Sequence, residues 1–233
     1  MSQSEIAESL ALLERDWEIE SLLKSFILRK IVNVSDHVVK VGKVTFHIPY
    51  LADHKKYVLW KCYWPDCHNC CNRQGRLPLT SDDLITIGAG LKYRSPSKFV
   101  EEETVTATWT EPGPGGPETI MTMINLKRRE DETASDDGTH IACRFLDGEG
   151  GCQLHPGRPG VCYLYPFSTW LVNEEGQARV HASFQFTGDC PGFYLADSTD
   201  DMSDILSEYS GIIHRYNLAS MRTLRKALGA VSI

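Results

Sequence analysis

Four cysteines crowd into ten residues of this chain, Cys62, Cys67, Cys70 and Cys71 in the run KCYWPDCHNCC, and four more follow at Cys143, Cys152, Cys162 and Cys190. Thiolates are the protein's best ligands for zinc, iron and iron-sulfur clusters. Thiols this closely spaced come together cheaply only where something bridges them. The pattern predicts a metal site with all eight cysteines as candidate ligands. It constrains the fold as well, because a bridged segment need not supply a large apolar core of its own.

Composition decides between metal and disulfide. The N-terminal residues do not read as a signal peptide: Ser2 and Glu5 form a capping box, and Glu8, Glu14, Arg15 and Asp16 break any apolar run. The expectation is therefore a cytoplasmic protein, in a compartment where stable disulfides are rare. No stretch approaches the roughly 18 apolar residues of a membrane span. A net charge of -7 disfavours nucleic acid, since the basic pieces are as short as Lys127, Arg128 and Arg129. With 233 residues and 42% hydrophobic content, one domain over 1–233 is expected.

Periodicity places the elements. Ile6, Leu10, Leu13, Trp17 and Leu23 to Phe26 recur at near-helical spacing, predicting one amphipathic helix over 3–30. Residues 36–50 alternate around Gly42 as a hairpin leading to the first cysteines. Ser81, Asp82 and Asp83 open a helix over DDLITIGAGL, the two carboxylates serving as cap and first-turn charge. Residues 98–110 and 118–126 read as the strands of a long, mobile hairpin, and 127–138 as a solvated loop. Residues 168–186 form another hairpin turning at Asn173 to Gly176, and from Thr199 a long amphipathic helix runs through Met202, Leu206, Tyr209 and Ile213.

The spacing within the cysteine groups carries the chemistry. Cys67 and Cys70 flank two residues, which lets both thiolates of a tight turn reach one ion. Adjacent side chains point apart, so Cys70 and Cys71 either serve different metals or include one non-ligand. Gly- and Pro-rich turns hold Cys143, Cys152 and Cys162 on open backbone, and Cys190-Pro191 closes the series. Eight thiolates can make two four-thiolate sites, or one cluster with spare thiols. His68 and His155 lie inside the cysteine segments as lesser candidates for a mixed site. FLDGEGG at 145–151 runs into Cys152 and a Pro-rich turn instead of a helix N-terminus, so it is not read as a phosphate cradle.

In order, CHNCC at 67–71, LTSDDL at 79–84, CRFLDGEGGC at 143–152, RPGVC at 158–162, YPF at 165–167 and CPG at 190–192 resemble the CxxCxxCC family of zinc- or iron-chelating cysteine-cluster proteins. The resemblance covers roughly residues 60–192 and implies a shared metal-bound core. One branch of the family includes flagellin lysine N-methylases, similar to this chain through the cysteine module alone. The chain departs from the pattern twice. Trp64 stands in place of the family's first cysteine, with Cys62 two residues earlier, and Tyr163 follows Cys162 where the family often has Arg, which leaves Arg158 as the nearby cation.

The fold expected is α+β: an irregular cysteine-clipped metal-binding core at 60–192 with short antiparallel strands, an N-terminal helix and hairpin at 1–59, and a C-terminal helix at 199–230. The function expected is metal binding, through an iron-sulfur cluster or alternatively zinc, in a redox or metal-handling role. A methylase-like protein-modifying enzyme and a zinc-stabilised interaction module stand as alternatives, with an unidentified protein partner or substrate and with neither nucleic acid nor membrane.

Overall fold

A computed structural model describes residues 2–72, 77–111, 119–129, 141–174 and 177–229, with side chains left undescribed at 109–111, 119–121 and 224–229. In chain order the elements are α1 (Gln3–Leu13), α2 (Ser21–Ile27), β1 (Val34–Val41), β2 (Val44–Leu51), β3 (Lys56–Trp60), α3 (Asn69–Asn72), β4 (Leu77–Pro78), α4 (Ser81–Gly90), α5 (Pro96–Glu103), β5 (Thr104–Glu111), β6 (Thr119–Leu126), β7 (Phe167–Glu174), β8 (Gln177–Phe184), β9 (Phe193–Ala196) and α6 (Ser203–Gly229). Helices and sheets together make the chain α+β. It divides into two compact units, one of residues Met1–Cys70 and Leu164–Asn217, the other of Cys71–Tyr163 and Leu218–Ile233.

The first unit is built on a six-stranded sheet. Its order is β7-β8-β2-β3-β9, and β1 pairs along the other edge of β2. Strand β2 explains this centre: Val44, Phe46, Ile48 and Leu51 are fully buried, and a strand buried this thoroughly needs neighbours on both edges. Not all pairing is antiparallel, because β2 and β8 run parallel from Val44–Val180 to His47–Ser183. Gly42 turns the β1–β2 hairpin at φ 56°, and Ser210 of α6 donates to the Val41 carbonyl at 2.8 Å, fixing the helix on that turn. Ile6, Leu10, Leu13, Leu23, Ile27, Met202, Leu206 and Ile213 complete the core against the sheet.

The expected helix over 3–30 is instead two short helices separated by residues 14–20. The capping box of Ser2 and Glu5 does start α1. Continuity fails because Trp17 and Ile19, two positions apart, both pack on the same core, and one helical face cannot present i and i+2 together.

The second unit holds the three-stranded sheet β4-β6-β5 and the helices α4 and α5. Its core joins Leu79, Ile87, Phe99, Leu126, Phe145, Leu146 and Leu154 with Cys143. The strand expected from residue 98 begins only at Thr104. Ser95 caps the Lys98 amide with Pro96 in the first turn, and this signature makes 96–103 a helix. The tip of the β5–β6 hairpin, the turn at 175–176 and residues 130–138 of the loop lie outside the described residues. Arg128, read as part of a solvated segment, is only 1% exposed and bridges to Cys143.

Candidate metal centre

In the first unit, β3 delivers the chain to Cys62, and a turn in which the Cys67 amide donates to the Tyr63 carbonyl at 3.2 Å leads on to α3. The partner segment is Asp189 to Gly192. Gly192 accepts from the Lys61 amide at 3.0 Å, and a Cβ there would sit 2.1 Å from the Lys61 carbonyl oxygen. Only glycine lets these two backbones approach so closely. Asn69 adds a second tie, its side-chain amide donating to the Asp189 carbonyl at 2.9 Å. The Cys190 segment is thereby held against the 61–70 segment.

The second unit gathers its cysteines differently. The Cys143 amide donates to the Cys71 carbonyl at 2.8 Å, and Cys152 bridges to Leu146 across the loop 146–152. Within that loop Asp147 accepts the amides of Glu149 at 2.9 Å and Gly151 at 2.7 Å, so those donors are already engaged by the chain itself. Cys162 rides on a 3-10 turn at Gly160–Tyr163. Asp83 fixes that turn: one carboxylate oxygen closes the α4 capping box on Thr80, and the other accepts the Gly160 amide at 2.9 Å.

The thiols are bare of disulfides and graded in exposure: Cys62 and Cys70 are exposed, Cys143 is buried, and the other five are half-buried. Burial is the main force pushing the Cys143 thiol up to about 11, reinforced by Cys71 and Cys152 and opposed by the Phe145 amide and Arg129. Burial likewise raises Cys162, reinforced by Cys143, Cys71 and Cys152 and opposed by Arg158. Cys190 is pushed up to about 11 by burial, with Cys67 adding to it and the Gly192 amide and Trp60 resisting. Each cysteine named in these shifts lies in the same unit as the cysteine it perturbs.

Among the described residues, no three His, Cys, Asp or Glu side chains stand close enough to grip one ion as placed. The donor set nonetheless fits a thiophilic metal. Three sulfurs accept an amide from the residue two positions on: Cys62 from Trp64 and Cys190 from Gly192, each at 3.4 Å, and Cys143 from Phe145. Such N–H donors favour the thiolate over the thiol. Trp60 directs its indole N–H at Cys190, also at 3.4 Å. Arg158 has a buried Nε with no hydrogen-bond partner among the described residues, while its guanidinium lies 4.2 Å from the centre of the Tyr163 ring.

Several contributors escaped the sequence reading. Asp83 does more than the cap and first-turn charge that the sequence predicts, because its buried side chain also holds the Cys162 turn, and RPGVC and SDDL carry no signal that they meet. Trp60, Asn69 and Gly192 act through contacts across the chain, and only the CPG motif marked Gly192. His68 is half-buried and His155 exposed.

No curated protein and no solved structure matches this chain. The profile of the CxxCxxCC family, described as "Putative zinc- or iron-chelating domain", matches residues 61–190. That span takes in seven of the residues just placed in the two cysteine sets together with Cys190 at its end, and it exceeds half of the chain, so the protein belongs to the CxxCxxCC family.

Proposed function

We propose that this protein binds metal through its cysteines and carries an iron-sulfur cluster, in a redox or metal-handling role. One observation carries the reading: Cys143 sits in the second unit's core, Cys71 and Cys152 pack against that same core, and the Cys143 amide donates to the Cys71 carbonyl, while Arg129 and Arg158 act on the Cys143 and Cys162 thiols. Four thiolates in one place repel one another, and a bound cation or cluster relieves that repulsion while the two guanidiniums offset the residual negative charge. Such a cluster supplies one-electron chemistry. The residues of this chain hold it, donate N–H groups to its ligand sulfurs and limit its contact with water, and these factors tune its potential. Thiol ligands suit zinc equally, which makes zinc the alternative occupant. The apolar depression lined by Ile6, Phe26, Phe184 and Phe186 contains none of the cysteines, so it lends no support to a reaction at the metal.

Anaerobic purification followed by elemental analysis, sulfide determination and visible absorption tests the proposal. Iron with acid-labile sulfide and a brown colour is the expected result. A colourless protein with stoichiometric zinc and no sulfide would replace the cluster with a structural zinc site.

A further inference from the structure

The boundary between the two compact units falls between Cys70 and Cys71 and allots four cysteines to each. Resting on the metal-binding reading above, we infer that the chain carries two independent four-cysteine sites, an exchangeable one of Cys62, Cys67, Cys70 and Cys190 and a retained one of Cys71, Cys143, Cys152 and Cys162.

The adjacency of Cys70 and Cys71 is the pivot. Both lie in the single turn of α3, where successive side chains diverge by about 100° around the axis, so one cannot follow the other into a shared site without unwinding the turn. The hydrogen bonds sort the same way. Asn69 to Asp189, Lys61 to Gly192 and Trp60 to Cys190 all fall within the first unit, and they bring Cys190 to the segment bearing Cys62, Cys67 and Cys70. Cys143 to Cys71 and Gly160 to Asp83 fall within the second. Four thiolates form a closed ligand set for zinc or for a cluster, so neither site needs a donor from the other unit.

Exposure separates their behaviour. Two of the four thiols in the first set are exposed, so a competing ligand can attack the metal stepwise there. In the second set Cys143 is buried and no cysteine is fully exposed. Release from this set requires an opening of the unit's core, because Cys143 packs among Phe99, Leu126 and Phe145.

The test uses the metal-stripped full-length chain reloaded anaerobically with zinc(II) and challenged with excess EDTA. Wild type is expected to bind two equivalents and release them in two phases of equal amplitude, with rates at least about tenfold apart. Cys67→Ser/Cys190→Ser should retain one equivalent and lose only the fast phase, and Cys143→Ser/Cys162→Ser should retain one and lose only the slow phase. The wild-type amplitudes need no variant, so misfolding of either double mutant leaves the test intact. One equivalent released in a single phase from wild type, or loss of all zinc from a Cys67→Ser/Cys190→Ser protein that keeps the wild-type circular dichroism spectrum, would overturn the two-site inference while leaving metal binding in place. A wild-type chain that binds no metal would overturn the reading on which it rests.

Discussion

At the level of single residues, Gly192 and Asp83 position the segments that carry Cys190 and Cys162, two of the proposed ligands. A Cβ at Gly192 meets the Lys61 carbonyl at 2.1 Å and the Trp60 indole nitrogen at 2.9 Å, so Gly192→Ala forces apart the two segments carrying Cys62 and Cys190. We expect that variant to lose about 3 kcal/mol of stability in urea denaturation and to bind less metal. Asp83→Ala removes the reciprocal half of the α4 capping box and leaves the Gly160 amide without its acceptor. A loss of about 2 kcal/mol is expected, with weaker metal retention at the second set measured by chelator challenge. Far from the cysteines, Glu174 accepts from His181 at 2.8 Å, and that bond, aided by Lys40 and Arg179, holds its carboxyl below the ordinary range. A depressed carboxylate stabilises the fold above its unfolded value and loses that contribution as the pH falls through the folded one. Glu174→Gln should therefore have a lower melting temperature than wild type at neutral pH, and the two should converge at acidic pH below the usual Glu range.

Among the elements, the hairpins were legible and the helices less so. Gly42 between two alternating runs announced β1 and β2, since period-two alternation and a turn residue are local signals. The same logic found β7 and β8. Residues 98–103 were misassigned because Val100 and Thr104 suggested β structure, while Ser95-Pro96 and the charged run Glu101 to Glu103 favoured a helix. Phe99 on that helix is fully buried in the core that also contains Cys143. Phe99→Ala should cost about 3–5 kcal/mol, measured by chemical denaturation, and should speed release from the second cysteine set without altering the first. The short strands β3 and β9 were missed. Their pairing, Tyr57–Ala196 to Trp60–Phe193, joins segments remote in sequence, and no local pattern records a partner that far away.

For the molecule as a whole, metal loading and folding should be linked, because neither ligand set exists in the unfolded chain. Cys67→Ser and Cys152→Ser are each expected to lose one equivalent of metal. At free metal a thousandfold above Kd, losing one site removes about 4 kcal/mol of ligand-linked stability, visible as a lower melting temperature that chelator-treated wild type shares. Unchanged stoichiometry and melting in both variants would make these cysteines bystanders. The family resemblance and the candidate ligands were legible from the sequence because cysteine spacing and Gly-Pro turns are local chemistry, carried by each segment without its neighbours. Which of the segments bearing those thiols meet was decided only by the tertiary structure. The break between Cys70 and Cys71, the Gly192–Lys61 approach and the Asp83–Gly160 bond all join or separate segments through contacts distant in the chain, and such contacts form only when the cores beneath them close.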